Sequence, residues 1–337
     1  MHAEHWAARV LAWFDVNGRH DLPWQNPRSP YRVWVSEIML QQTTVSAVMP
    51  YFQAFMARLP DVQALARCDQ DELMSLWSGL GYYARARNLH RAARMLVDDF
   101  DGVFPQDVET LQQLPGIGRS TAGAIAAQAF GQRAAILDGN VKRVLARHAG
   151  VEGWPGQSAV LKRLWAVAEA RLPDTRQADY AQAMMDLGAT LCVRRNPGCA
   201  ECPVDADCQA RAQGKTATIP APKPRKARPV REEKFLIVRD AQDRILLQRR
   251  PPSGIWGGLW SLPEYSDHAD DVSQLSSLGP ALRHEFSHFS LWLEPVSAQL
   301  ASNRLAERDG HDWHTVEAAL SLGLPQPVRR LIETYCA

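Results

Sequence analysis

Four cysteines spaced Cys192-x6-Cys199-x2-Cys202-x5-Cys208 put four potential thiolates on one short loop. Pro197, Gly198 and Pro203 punctuate that loop, so it can wrap one compact inorganic centre. Thiolates suit both an iron–sulfur cluster and tetrahedral zinc. Zinc ribbons usually carry two Cys-x2-Cys knuckles, and only Cys199 and Cys202 have that spacing here. The residues alone favour a cluster and leave zinc open. A disulfide pair ranks below both, because nothing in the chain has a secreted character. Cys68 and Cys336 stand apart and read as ordinary thiols.

Two carboxylates stand in contrasting surroundings. Glu37 follows Val33 and Trp34 and precedes Ile38, on the apolar side of an expected helix. Partial desolvation there raises its pKa and favours a proton-bearing acid. Asp138, in Ile136-Leu-Asp-Gly-Asn140, sits before an expected helix that Asn140 can cap, and a helix N-terminus favours the ionised form. One acid and one carboxylate, separated by environment, suit cleavage of a glycosidic bond through an oxocarbenium-like state. Each residue alone is commonplace, and the sequence does not bring them side by side.

Leu114-Pro-Gly-Ile-Gly-Arg-Ser-Thr121 ends one helix and begins the next. Gly116 and Gly118 let the backbone approach a ligand and adopt positive φ. The N–H groups at the start of the Ser120 helix then face an anion. This is the pattern of a helix–hairpin–helix, which grips a DNA phosphate without reading a base.

The elements that must position these groups fall into two parts. The chain has 337 residues, 46% hydrophobic and 22% charged, enough for two ordinary domains. Helical periodicity dominates the first part. Trp6, Val10, Trp13 and Phe14 share a face ended by Gly18; Pro30 opens a helix expected to run to Ser46; another runs from Tyr82 to Val97. Lys215–Arg231 holds Lys215, Lys223, Arg225, Lys226, Arg228 and Arg231, with Pro220, Pro222, Pro224 and Pro229 and no acid. It reads as an extended basic linker, able to follow a phosphate backbone or simply to tether. Beyond it, residues 235–238 and 244–248 read as strands joined by a turn, so this part is mixed α and β. Through Arg231 there are 28 Lys and Arg against 22 Asp and Glu; after it, 10 against 15. The basic part is where a phosphate grip is expected. No stretch reaches membrane-span length and the N-terminus does not read as a signal peptide, so a cytoplasmic protein is expected, nucleoid-associated by function if the hairpin holds DNA.

Along nearly its whole length the chain resembles the MutY-type adenine DNA glycosylases. The matching runs are residues 33–43, 76–88, the hairpin, 137–145, Gln182–Gly188 and the cysteine loop. The resemblance implies a multidomain protein. Residues 1–213 would form an all-α DNA glycosylase domain, with the helix–hairpin–helix at about 107–127 and an iron–sulfur loop at 192–208. A linker at 214–231 and an α+β Nudix-like domain at 232–337 would follow. It implies one 4Fe–4S cluster on Cys192, Cys199, Cys202 and Cys208. It implies a monomer that flips and removes adenine paired with 8-oxoguanine or guanine in double-stranded DNA. Glu37 would protonate the leaving base and help activate water, Asp138 would stabilise the sugar cation, and Tyr82 and Asn140 would support them. Gln182 would contact the flipped adenine. Gln42, Thr43, Leu80, Gly116, Gly118 and Ser120 would meet DNA. Endonuclease III carries a lysine nucleophile where Ser120 stands, so hydrolysis without strand cleavage is implied. Arg249-Arg-Pro-Pro-Ser-Gly-Ile-Trp-Gly-Gly-Leu-Trp260 resembles the entry to a Nudix fold. The Arg-Glu-x-x-Glu-Glu run of a Nudix hydrolase is missing after it, where Asp267, Asp270 and Asp271 are scattered. Phe286, Ser287 and His288 would read 8-oxoguanine instead.

Overall fold

A computed structural model describes residues 2–224, 227–302 and 304–336, with side chains from His5 onward. Arg225 and Lys226 of the basic stretch lie outside the described residues. The chain forms two compact units. One runs to Ala66 and resumes at Asn88; the other joins Arg67–Arg87 to the residues from 226 onward, so the boundary falls within the basic stretch.

The helices before that stretch are α1 (His2–Asn17), α2 (Pro30–Met39), α3 (Val45–Arg58), α4 (Val62–Arg67), α5 (Gln70–Trp77) and α6 (Ala84–Phe100). They continue with α7 (Val108–Leu111), α8 (Arg119–Phe130), α9 (Gly139–His148), α10 (Ser158–Glu169), α11 (Gln177–Asp186) and α12 (Gln209–Ala212). A π-helical turn, Leu187–Leu191, extends α11. Ser29 caps α2 by accepting from the Arg32 N–H, with Pro30 in the first turn. The helix expected to reach Ser46 is in fact two. It stops at Met39, Gln42 turns left-handed at φ 61°, and Thr44 caps α3. Likewise α6 starts at Ala84 rather than Tyr82, whose φ of 50° excludes it from a helix.

The centre of the first unit is α8, buried from Ala122 to Gln128 and packed against α2 and α11. Its small residues allow this. A Cβ on Gly123 would lie 2.3 Å from the Ala135 carbonyl oxygen, so only glycine admits the strand-like segment leading to Asp138. Around α8 a continuous core forms from Trp6, Val10 and Phe14 of α1, Val144 and Leu145 of α9, Leu164 of α10, and Tyr180 and Met184 of α11. Each such fully buried large apolar side chain contributes about 1.5–3 kcal/mol.

In the second unit β1 (Val230–Ile237), β2 (Ile245–Arg249), β3 (Trp260–Ser261), α13 (Tyr265–His268), β4 (Val272–Ser277), β5 (Leu282–Glu285), β6 (Ser290–Leu300), β7 (His311–His314), α14 (Val316–Ser321) and α15 (Gln326–Tyr335) follow in order. One sheet runs β1-β6-β4 with β5 also on β6; the other runs β3-β2-β7. The turn after β1 forms, but only the Arg239–Ile245 bridge joins its two arms. β1 pairs in parallel with β6, and β2 belongs to the other sheet. Where a Nudix hydrolase needs a helix of acidic ligands, α13 is a single four-residue turn.

The described cations of the basic stretch are engaged by protein. Lys215 pairs with Glu152 at 2.6 Å and Lys223 lies over the Trp154 ring in the first unit. In the second, Arg228 pairs with Glu285 at 3.5 Å and Arg231 covers the Phe289 ring.

Candidate active site

Glu37 stands in the last turn of α2 and Asp138 at the N-cap of α9. Both are half-buried rather than sealed in the core. Burial raises the Glu37 carboxyl to about 7, and the Asp138 charge adds to the rise. The Asp138 charge acting on Glu37 brings the two carboxyls within electrostatic reach of each other, which the sequence left open. The Gln128 side-chain amide donates to Glu37 Oε1 at 3.0 Å and opposes the rise.

Asp138 differs from expectation in two respects. The cap is Asp138 itself, not Asn140: its oxygens accept from the Asn140 N–H at 3.2 Å and the Val141 N–H at 2.9 Å. Its pKa is also raised rather than lowered, because burial outweighs those bonds and the charges of Arg143 and Lys142. Within the pair, Asp138 has the N–H donors and the cations, whereas Glu37 has Gln128 alone. These contacts favour the charged form of Asp138 more than that of Glu37, although burial raises both carboxyls.

Neighbouring groups fix this geometry. The Leu137 N–H donates to Ser120 Oγ at 2.8 Å, so the hairpin helix holds the residue before Asp138. Asn140 Oδ1 accepts from Arg143, which also donates to the carbonyls of Gly188 at 2.6 Å and Cys192 at 2.7 Å. Gly188 must be glycine: a Cβ there would lie 2.6 Å from Asn140 Cβ. In the hairpin, Gly116 uses positive φ, at 83°. Gly118 instead is the extended N-cap of α8, with no side-chain cap bond and open space above it.

The other expected contact residues are placed as follows. Gln42 is exposed and left-handed, with Thr43 beside it, half-buried. Gln182 is buried; its amide donates to Asp186 at 2.8 Å, while Oε1 has no partner among the described residues. In the second unit Leu80 is buried and Tyr82 is 49% exposed, so tyrosine is the presented side chain. Phe286, Ser287 and His288 form the tip between β5 and β6, closed by the Phe286 N–H on the Phe289 carbonyl. Phe286 stacks on Phe289 at 4.4 Å, leaving Ser287 and His288 exposed.

All four loop cysteines are free thiols lining one pocket, with Arg147, His148 and Val204. Burial first, then the other cysteines, pushes Cys202 up to about 11. Four thiolates here therefore need a compensating cationic centre. Among the described residues no group of three or more His, Cys, Asp or Glu side chains stands close enough to hold a metal ion. Arg147 ties the loop to α9, donating to the carbonyls of Val193, Arg194 and Ile219 and lying 3.4 Å from Cys192 Sγ. Gln128, Arg143, Arg147 and Gly188 were not singled out from sequence. The i, i+4 arginines on α9 were the available signal, but their acceptors are mostly backbone carbonyls.

A helical unit with this hairpin, a half-buried acid pair and a sheet-bearing second unit defines the class of helix–hairpin–helix glycosylases with a Nudix-like appendage. A family model described as "HhH-GPD superfamily base excision DNA repair protein" matches residues 35–170, and one described as "NUDIX domain" matches 234–334. An adenine DNA glycosylase of Buchnera aphidicola (Acyrthosiphon pisum strain) is 35% identical over 97% of this chain and 96% of its own length. The Homo sapiens adenine DNA glycosylase is 38% identical, over 97% of this chain and 73% of its own. A solved thermostable thymine-DNA glycosylase is similar at 27% identity and TM-score 0.55, covering 61% of this chain and 95% of that one. An endonuclease III–DNA complex, at 23% identity and TM-score 0.53 over 62% of this chain and 94% of that one, shares the fold. The chain belongs to the adenine DNA glycosylase family. Membership makes it a base-excision enzyme that hydrolyses N-glycosidic bonds. Among the described residues no helix is long and apolar enough to cross a membrane.

Proposed function

We propose that this chain acts as a monomer in the cytoplasm, where it flips adenine out of A:8-oxoguanine and A:G pairs in duplex DNA and removes it by hydrolysis. The observation that carries the reading is the coupled pair of Glu37, raised to about 7, and N-capping Asp138. Glu37 delivers its proton to the departing adenine and then assists water. Asp138 faces the sugar cation with its charge. The partnerless Oε1 of buried Gln182 supports a donor such as an adenine amino group as its ligand. Gln42, left-handed and exposed, with Thr43 beside it, suits entry into the base stack; Tyr82, exposed and left-handed in its own unit, supports the catalytic groups in this reading. The hairpin holds a phosphate through the open N-terminus of α8. The domain from residue 232 reads 8-oxoguanine with Phe286, Ser287 and His288, and residues up to 213 carry the chemistry.

The test is a single-turnover assay on a duplex with adenine opposite 8-oxoguanine, read with and without alkali. Strand breaks are expected only after alkali, since Ser120 offers no amine. Efficient breakage by the enzyme alone would contradict the hydrolytic route.

Cys192, Cys199, Cys202 and Cys208 hold one 4Fe–4S cluster in this reading, supported by four free thiols around one cavity. Purified protein should be yellow-brown with about four irons per chain. Stoichiometric zinc without iron would replace the cluster by a mononuclear site.

A further inference from the structure

The loop from Ser78 to Tyr83 is held in an unusual backbone shape. Gly79, Gly81 and Tyr82 all have positive φ, at 102°, 69° and 50°. A tyrosine adopts that region only when its surroundings impose it. Part of the constraint is local. The Trp77 indole N–H donates to the Gly81 carbonyl at 3.2 Å. Arg85 donates to the carbonyls of Leu80 and Gly81 at 3.1 Å and lies over the rings of Trp77 and Tyr82.

The rest comes from far along the chain, within the same compact unit. Ser78 Oγ and Tyr83 OH donate to the Leu324 carbonyl at 3.2 and 3.3 Å, and Ser75 Oγ to the Ser321 carbonyl at 2.9 Å. Gly323 leaves room for Met74, which a Cβ would approach to 2.7 Å. Asp71 pairs with Arg249 at 2.5 Å. Arg87, in the first turn of α6, donates to the Gly257 carbonyl. Next to Gly257, Trp256 is itself left-handed and buried, and its ring meets Phe286 at 5.4 Å and His284 at 5.8 Å. A chain of contacts therefore runs from Phe286 through Trp256 and its neighbour Gly257 to Arg87, whose backbone N–H donates to the Tyr83 carbonyl at 3.2 Å.

We propose that Arg87 and the Asp71–Arg249 pair are positioning residues that couple the 286–288 tip to the Tyr82 loop, so that the base met by the tip governs how Tyr82 is presented to the duplex. This rests on the roles given above to Phe286–His288 and Tyr82. The C-terminal domain then does more than add affinity for 8-oxoguanine. It sets the rate at which adenine is extruded opposite that base.

The test uses the full-length protein and four variants: Arg87→Ala, Arg87→Lys, Asp71→Arg, and Asp71→Arg combined with Arg249→Asp. Adenine release is measured under single-turnover conditions opposite 8-oxoguanine and opposite guanine. Binding to a duplex with an uncleavable adenine analogue is measured alongside, and thermal melting checks the fold. Arg87→Ala should lose roughly tenfold of the 8-oxoguanine preference, the size of one hydrogen bond to a charged group. The loss should fall on the rate opposite 8-oxoguanine, not on duplex affinity. Arg87→Lys keeps a donor for Gly257 and should recover most of it. Asp71→Arg should reduce the preference similarly, and the exchanged pair should restore it. If Arg87→Ala does not fold, the exchanged pair alone decides. Unchanged preference in folded single variants, or no recovery in the exchanged pair, overturns the coupling alone. A wild-type chain with no preference overturns the role of the tip and this inference with it.

Discussion

Glu37→Gln should bind its duplex normally and release adenine at least about a thousandfold more slowly, because an amide cannot deliver the proton. The wild-type rate should fall as pH rises through about 7, where Glu37 loses its proton. Its acid limb reports Asp138, and both limbs belong to the coupled pair. Stability changes with the same proton. The folded chain holds it up to about 7, whereas the unfolded carboxyl releases it near 4.5. Folding therefore loses stability as pH rises from 4.5 through 7, and the whole loss is present above. The uncharged amide avoids that loss and still accepts from Gln128. Glu37→Gln should thus be more stable than wild type by about 1–3 kcal/mol at pH 8.5, a range reduced for partial exposure, and no more stable near pH 4. Urea titrations at both pH values, beside the single-turnover rates, check both halves. A near-normal rate would mean another residue is the acid, and equal stability at pH 8.5 would mean Glu37 is not desolvated.

The parts of this site that the sequence disclosed are those made by local pattern. An apolar stripe marked α2 and the desolvated face bearing Glu37. A Pro-Gly-x-Gly turn marked the hairpin, and cysteine spacing marked the loop that lines one cavity. Features that depend on who packs against whom were hidden. Thr44 as a cap ended the long helix early, and a Gln at positive φ is not a residue that announces a break. Asn140 and Asp138 are both good caps, and only the backbone decides which is used. The direction of the Asp138 shift depended on burial, which the helix-terminus argument leaves out. Arg143 and Arg147 bind mostly carbonyl groups, which carry no residue signature. The same holds for the grouping of residues 67–87 with the C-terminal residues, secured by the carbonyls of Gly257, Ser321 and Leu324. In the second unit, strand texture was legible, but the parallel partnership of β1 with β6 is a non-local pairing that turn chemistry between β1 and β2 obscures.

Asp138→Asn separates the capping duty of Asp138 from the charge that the proposed function assigns to it. As a cap, Asp138 satisfies the N–H groups of Asn140 and Val141. Asparagine caps nearly as well as aspartate, so the fold and the start of α9 should persist, with melting close to wild type. As a charge, Asp138 stands at a desolvated position where an oxocarbenium-like sugar would develop. The neutral amide removes that charge, and adenine release should fall by roughly a hundred- to a thousandfold. Because burial disfavours the ionised form at this position, the variant should also be no less stable above neutral pH. Asp138→Ala removes cap and charge together and should lose a further 1 kcal/mol or so of stability. The decisive comparison is between these two variants. Equal loss of activity with unequal loss of stability assigns the chemistry to the charge. If Asp138→Asn keeps near-normal rates while Asp138→Ala is inactive, Asp138 acts only by shaping α9, and stabilisation of the sugar cation must come from another group.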